Sequence, residues 1–142
     1  MLFLFILSSL EAQKVIAVKD GDTIVILDAN NNQITLRLAE IDCPEKGQPF
    51  GTQAKNYTSN LVFGKNITYI KTDTDRYGRI IAKVYINNKY VSEELLKAGM
   101  AWWYYKYSTN EYLKKLQNQA KSKKIGLWAE PNPVEPWNWR KK

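Results

Sequence analysis

One stretch of the chain, residues 36–45, places an arginine and two carboxylates where they could act on a phosphate group. Arg37 stands between two leucines, and this alternation is the two-residue period of a β-strand with two different faces. The strand runs into Asp42, Pro44 ends its hydrogen-bonding ladder, and Glu45 follows. A guanidinium binds phosphate oxygens in a fork, and carboxylates hold a hard cation or accept a proton. The stretch therefore indicates a site for metal-assisted attack on a phosphate.

The composition indicates an ordinary globular chain with a basic surface. Its 142 residues are 44% hydrophobic and 25% charged, which is enough for one domain with a proper core. The formal net charge of +7 favours an anionic partner such as nucleic acid. The alternative is that the basic residues only form a solvated face.

Two residue types restrict the chemistry through their scarcity. The sequence has no histidine, which excludes a Ser-His-Asp triad, a Cys-His pair and an imidazole-bound metal. Cys43 is the single cysteine, so an internal disulfide and a cysteine-rich zinc site are excluded as well. A catalytic base must then be a carboxylate, a lysine or a tyrosine. Any metal must bind among oxygen atoms, which favours calcium or magnesium.

The two ends of the chain differ in composition from the rest. Residues 1–12 are mostly apolar, too few to span a bilayer, which takes about 20 residues, and similar to the hydrophobic part of a secretory signal. These residues predict that the protein is secreted or periplasmic. The alternative is that they form an extra strand or a stub anchor. If they are not a signal, the protein is expected in the cytoplasm. Residues 13–142 are expected to form one domain, ending in a tail rich in proline and tryptophan over residues 131–142. We expect this tail to be extended, with its tryptophans packed on the body.

Hydrophobic periodicity and turn residues predict five strands and about three helices. The predicted strands are Lys14–Lys19, Thr23–Leu27, Gln33–Ala39, Asn66–Lys71 and Ile80–Ile86, and the predicted helices are Thr52–Val62, a short helix capped by Ser92, and one that begins with a capping box of Ser108 and Glu111 and runs to Lys124. Between the first two strands, Gly21 is expected to form a turn through a positive φ angle. The order predicts an α+β fold that is mainly β, a five-stranded OB-type barrel with appended helices.

Three segments taken together resemble the staphylococcal nuclease (thermonuclease) family. They are Asp-Gly-Asp-Thr at residues 20–23, Arg37 with Asp-Cys-Pro-Glu at residues 42–45, and Asp-Arg-Tyr-Gly-Arg at residues 75–79. The likeness runs from about residue 15 to residue 128, where a Gly-Leu-Trp motif closes it. Each segment alone is a weak signal, but all three in this order are specific.

The resemblance implies a calcium-dependent phosphodiesterase that cleaves DNA and RNA. By position it implies that Asp22 and Asp42 bind calcium, that the backbone carbonyl of Cys43 is a further calcium ligand, and that Glu45 orients or deprotonates the attacking water. It also implies that Arg37 and Arg79 hold the phosphate and that Tyr77 lies beside a phosphate. Arg76 is implied to lie near the nucleic acid, where it replaces a lysine of the family pattern. Tyr105 and Tyr107 are implied to line a nucleotide pocket. A monomer without a membrane partner in its mature form is expected.

Two alternatives remain at the level of the sequence. The first concerns Cys43, which stands where the best-known family member has threonine: its thiolate could be a metal ligand or nucleophile, or its side chain could be a small filler. We favour the filler, because acidic neighbours raise the pKa of a thiol. The second is that the chain is an OB-fold module that binds nucleic acid but has lost its chemistry. All five residues of the implied catalytic and metal site are present, namely Asp22, Arg37, Asp42, Glu45 and Arg79, and this favours the enzyme.

Overall fold

Five strands close into a barrel in the computed structural model of the chain, which describes residues 11–141. These strands are β1 (Gln13–Asp20), β2 (Thr23–Leu27), β3 (Gln33–Leu38), β5 (Asn66–Thr74) and β6 (Ile80–Ile86), and three two-residue strands are β4 (Ile41–Asp42), β7 (Lys89–Tyr90) and β8 (Trp102–Trp103). The first three barrel strands form an antiparallel meander, β1 also pairs with β5, and β5 pairs with β6. Parallel pairing of β3 with β6 closes the barrel. The predicted OB-type α+β fold is confirmed.

The helices lie between and after the barrel strands. They are α1 (Gly51–Val62), α2 (Val91–Lys97), α3 (Glu111–Ser122), a 3-10 turn (Gly126–Ala129) and the four-residue α4 (Pro136–Trp139). Across residues 11–141, none of these helices has the length and apolarity that a membrane crossing requires. The leader predicted for residues 1–12 falls almost entirely outside the described residues and stays a prediction.

One hydrophobic core joins the barrel interior to the helices α1, α2 and α3. The largest side chains that are fully buried include Ile24, Ile26, Leu36, Leu38, Ile67, Leu95, Leu96 and Leu113. In β3 the leucines on either side of Arg37 point into this core, so the arginine leaves the opposite face of the strand. The barrel wall therefore fixes the direction of the arginine side chain.

The third strand ends earlier than its sequence pattern predicts. The backbone turns at Glu40, which has a positive φ of 72°, and continues as the separate strand β4. Here Ile41 lies opposite Trp103 and Asp42 opposite Trp102 in the short strand β8. Asp42 is therefore placed by pairing with a segment about 60 residues away, and not by the barrel strand itself.

Two predicted helix caps are wrong because the serines are used elsewhere. Ser92 lies inside α2 and donates a hydrogen bond to the carbonyl of Ala39 (2.8 Å). Ser108 donates to the carboxylate of Glu40 (2.6 Å), and α3 is capped by Asn110, whose side chain accepts two backbone N–H bonds. Both serines are buried, and each one ties a helical segment to the turn after β3.

Gly21 and the tail also differ from their predictions. The φ of Gly21 is not positive, and a Cβ on this residue would lie 2.9 Å from both Cys43 Sγ and Ala54 Cβ. Glycine is thus required here by close packing of the turn. The tail is not extended throughout, because Pro136 begins the short helix α4, a position that suits its fixed φ. Its tryptophan packing is confirmed, since Trp137 stacks on Tyr104 with ring centroids 5.3 Å apart.

Candidate active site

Arg37 joins the two carboxylates that the resemblance assigns to the metal. Its Nη2 lies 3.2 Å from Asp22 Oδ2 and 3.1 Å from Asp42 Oδ1. Its Nη1 donates to the carbonyls of Leu38 (2.7 Å) and Ile41 (3.0 Å), on either side of the turn that ends β3. The Arg37 side chain is only 12% exposed, and these four contacts hold its guanidinium in one orientation beside both acids.

The turn after β1 and the strand β4 hold the two aspartates against each other. Asp22 begins the return into β2, and its backbone carbonyl accepts a hydrogen bond from Leu38 N (2.8 Å). The Asp22 carboxylate accepts from the backbone N–H of Cys43 (2.8 Å) and from the hydroxyl of Thr23 (3.3 Å). The side chain of Asp42 is completely buried. The acids are thus fixed by backbone contacts between segments that are far apart in the sequence.

Glu45 lies in the loop between β4 and α1, and Gln48 holds that loop. The side-chain oxygen of Gln48 accepts from Glu45 N (2.9 Å), and the backbone N–H of Gln48 donates to the carbonyl of Glu45 (2.9 Å). The Gln48 amide also donates to the carbonyl of Val134 in the tail (2.7 Å). The loop that carries the predicted base is therefore tied to the C-terminal segment.

Arg140 contacts two of the predicted site residues, and the sequence reasoning missed it. Its Nη1 donates to Asp42 Oδ1 (3.0 Å) and its Nη2 to Asp42 Oδ2 (2.8 Å), and Nη1 also pairs with the carboxylate of Glu45. The Nη2 atom lies 3.4 Å from the hydroxyl of Tyr104. A signal was present, because this arginine ends the Trp-Asn-Trp-Arg run of a tail whose tryptophans were expected to pack on the body.

Asp20, Asp22 and Asp42 form an acidic cluster beside Arg37, and their environment shifts the pKa of each carboxyl group. Burial raises the pKa of Asp42 to about 6, although its hydrogen bonds from Arg140 act against this rise. Burial and the charge of Asp22 raise the pKa of Asp20 to about 7. For Asp22, burial is outweighed by Arg37 and by hydrogen bonds, so its pKa is lowered. A partly buried cluster of this kind attracts further positive charge.

The third predicted segment forms the hairpin turn between β5 and β6. Arg79 Nε donates to Asp75 Oδ2 (2.7 Å), and Asp75 Oδ1 accepts the backbone N–H groups of Tyr77 and Arg79. The guanidinium carbon of Arg76 lies 4.9 Å from the centre of the Tyr77 ring, which is 70% exposed. The turn is therefore held together by its own hydrogen bonds, and it presents a tyrosine and two arginines.

Strand pairing brings this hairpin beside the strand that carries Arg37. In the parallel pair, Leu36 lies opposite Ile80 and Arg37 opposite Ile81, so Arg79 stands next to the barrel edge of β3. The ion pair of Arg79 is with Asp75 and not with the acidic cluster. A phosphate contact of Arg79 stays a prediction.

The predicted pocket tyrosines follow β8, the partner strand of β4. Tyr105 is 54% exposed and Tyr107 69% exposed, and their rings pack edge-on against Trp137 and Tyr104 respectively. An open cleft of about 580 Å³ adjoins Tyr105 and is bordered by Lys114. Exposed aromatic faces beside a cation suit stacking of bases.

Asp22 and Asp42 fit a hard cation that is held weakly. Both carboxylates reach one nitrogen of Arg37, so they converge on a small volume, and their oxygens are the ligands that calcium prefers. Over residues 11–141, no group of three or more acidic, histidine or cysteine side chains is arranged to hold a metal. Backbone oxygen and water would have to complete the coordination.

The side chain of Cys43 is a filler in the core. It is 2% exposed and packs with Ala54, and burial raises the pKa of its thiol well above the ordinary value. A neutral buried thiol is a poor metal ligand and a poor nucleophile. The backbone of Cys43, by contrast, contacts Asp22 directly.

We therefore expect Cys43→Ser to keep metal-dependent cleavage within about tenfold of the unchanged chain, or roughly 1.4 kcal/mol in the barrier. Cleavage of a single-stranded DNA at saturating cation measures this, with the melting temperature as a check on the fold. A loss beyond about a thousandfold in a folded variant would give the thiol a chemical function.

The fold and this site together define a class of protein: an OB-type barrel with appended helices and an arginine–carboxylate cluster at one end of its third strand. A sequence profile described as "Staphylococcal nuclease homologue" matches residues 35–130. The chain belongs to the staphylococcal nuclease family.

Named relatives agree with this assignment over most of the chain. An "Uncharacterized endonuclease" of Haemophilus influenzae is 44% identical over 128 residues, covering 90% of this chain and 72% of the relative. An "Uncharacterized endonuclease" of Escherichia coli is 41% identical, covering 89% of this chain and 83% of the relative. A "Micrococcal nuclease" of Shigella flexneri is 35% identical over 139 residues, covering 90% of this chain and 79% of the relative.

Proposed function

We propose that this chain is a calcium-dependent nuclease that hydrolyses phosphodiester bonds of DNA and RNA. The observation that carries the proposal is the convergence of Arg37 with Asp22 and Asp42, with Glu45 joined to Asp42 through one guanidinium. Family membership and relatives named endonuclease and micrococcal nuclease support the reaction class. The net charge of +7 and the exposed Tyr105 and Tyr107 support a nucleic-acid substrate.

The residues of the site meet the needs of phosphodiester hydrolysis. Negative charge on the phosphate repels an attacking oxygen, and more charge develops as the new P–O bond forms. Arg37, fixed beside the acids, and Arg79, on the adjoining hairpin, are the guanidinium groups for those oxygens. Glu45 accepts the proton of the attacking water as the ester P–O bond breaks and the leaving oxygen departs. A calcium ion on Asp22 and Asp42 would supply further positive charge for the phosphate.

A cleavage assay with controlled cations tests this proposal. With millimolar calcium we expect cleavage of single-stranded and double-stranded DNA and of RNA, and little cleavage with magnesium, which demands a more regular ligand set than two carboxylates offer. Full activity in excess chelator would contradict the calcium dependence. Binding of DNA without cleavage at any calcium concentration would contradict the nuclease and leave a binding module.

We also propose that the protein is exported and monomeric. The apolar residues 1–12 suggest export and the family resemblance suggests a monomer, and the described residues test neither proposal. A secreted or periplasmic location suits calcium dependence, because calcium is more abundant outside the cytoplasm than within it.

A further inference from the structure

The last described residues are docked on the active site by several independent contacts. Trp137 stacks on Tyr104 with an interplanar angle of 7° and also packs edge-on against Trp102, with centroids 5.8 Å apart. Pro136 is buried, and the carbonyl of Val134 accepts the hydrogen bond from Gln48. These contacts bring the guanidinium of residue 140 to the acidic cluster, and they are built from apolar and amide groups that do not depend on it.

Arg140 occupies both oxygens of Asp42. Its two terminal nitrogens lie 3.0 Å and 2.8 Å from Oδ1 and Oδ2, and Oδ1 also receives Arg37. The side chain of Asp42 is 0% exposed, so the oxygens have no free face on which a second cation could bind beside this fork. A divalent ion and a guanidinium at the same oxygens repel each other strongly in a poorly solvated site. The fork and a cation on Asp42 therefore exclude each other.

We propose that Arg140 is a third active-site arginine, which holds Asp42 until a divalent cation displaces it and then binds the phosphate of the substrate. The inference rests on the proposed function, since it takes Asp42 as the cation ligand. It assigns to the tail a direct contact with substrate that the three sequence segments do not include.

The proposed phosphate contact of Arg140 follows from the donors that Arg37 and Arg140 each have available. Both terminal nitrogens of Arg37 contact two carbonyls and two carboxylates deep in the site, so a phosphate that Arg37 holds needs a further donor for its other oxygens. Arg140 is 39% exposed and also touches Glu45, so it stands at the mouth, beside the group that receives the water proton. Once it is released from Asp42, its anchor at Trp137 keeps it near, and a phosphate offers the same paired oxygens as the lost carboxylate.

Calorimetric titration with calcium, without nucleic acid, tests the displacement. We compare the full chain with Arg140→Gln, with Arg140→Lys, and with Lys141→Gln as a control for tail charge, because Lys141 is exposed and its side chain forms no hydrogen bond or ion pair with residues 11–141. Arg140→Gln should bind calcium about tenfold more tightly, Arg140→Lys should lie between, and Lys141→Gln should match the unchanged chain within about twofold. Equal or weaker binding by Arg140→Gln would overturn the proposal, whereas no calcium binding by the unchanged chain would instead refute the proposed cation dependence.

Kinetics at saturating calcium test the phosphate contact. Arg140→Gln should lower kcat/KM for single-stranded DNA by about tenfold to a hundredfold despite its tighter calcium binding, and Lys141→Gln should not. The proposal therefore predicts that Arg140→Gln raises the affinity for calcium and lowers kcat/KM. Loss of a merely structural arginine would lower both the calcium affinity and kcat/KM. Unchanged or higher kcat/KM in Arg140→Gln would overturn the substrate contact, and a melting temperature close to that of the unchanged chain verifies that the variants are folded.

Discussion

Replacing Arg37 with lysine should lower kcat by about a hundredfold to a thousandfold while the protein stays folded. Lysine keeps the charge between Asp22 and Asp42, but a single ammonium cannot contact two carbonyls and two carboxylates in one plane as the guanidinium does. The loss expected for one electrostatic group that acts in the transition state is about 10² to 10³ in rate. Single-turnover cleavage at saturating calcium measures this change apart from product release.

Arg37→Gln separates the catalytic effect from the structural one. Glutamine removes the charge and leaves two buried carboxylates facing each other, so we expect a loss of about 3 kcal/mol in the free energy of unfolding. Arg37→Lys should lose much less, and urea unfolding compares the two variants. If Arg37→Lys cleaves DNA within about threefold of the unchanged chain, the arginine does not serve the phosphate in the transition state.

The sequence predicted those parts of the site that depend on local pattern. Alternation along β3 places Arg37 on the face opposite the buried leucines, and the structure has it there. The prediction that Cys43 is a small filler agrees with its burial and with the raised pKa of its thiol. Both predictions used local information, namely the alternation along β3 and the acidic neighbours of Cys43, although burial contributes most to the raised pKa of the thiol.

The features that sequence reasoning missed depend on contacts between distant segments. Arg140 and Asp42 are 98 positions apart, and nothing in a proline-rich tail indicates which carboxylate its arginine will meet. The turn at Glu40 likewise depends on Tyr90 in β7 and on Ser108 in the loop before α3, which both donate hydrogen bonds to its carboxylate. Hydrogen bonds from such partners outweigh local capping preferences, because a carboxylate removed from water needs hydrogen-bond donors.

The largest effect on stability is expected at Gly51, the first residue of α1. A Cβ at this position would lie 2.1 Å from the backbone carbonyl oxygen of Glu45, a separation that no rotamer change can relieve. That oxygen already accepts the N–H of Gln48, so moving it breaks the turn that carries the predicted base. We expect Gly51→Ala to lose about 3 kcal/mol or more in the free energy of unfolding, as forced overpacking does.

Gly47→Ala is the matched control in the same loop. Gly47 has a φ of +84°, but a Cβ there would meet nothing within 4 Å, so only backbone strain of about 1 kcal/mol should appear. Urea unfolding of both variants gives the two losses, and cleavage under conditions where both are folded tests the position of Glu45. Because only Gly51→Ala displaces the carbonyl of Glu45, it should also lose activity well beyond Gly47→Ala. Equal stabilities for the two variants would show that the loop relaxes freely, and the close approach of α1 would then not be what holds Glu45 in the site.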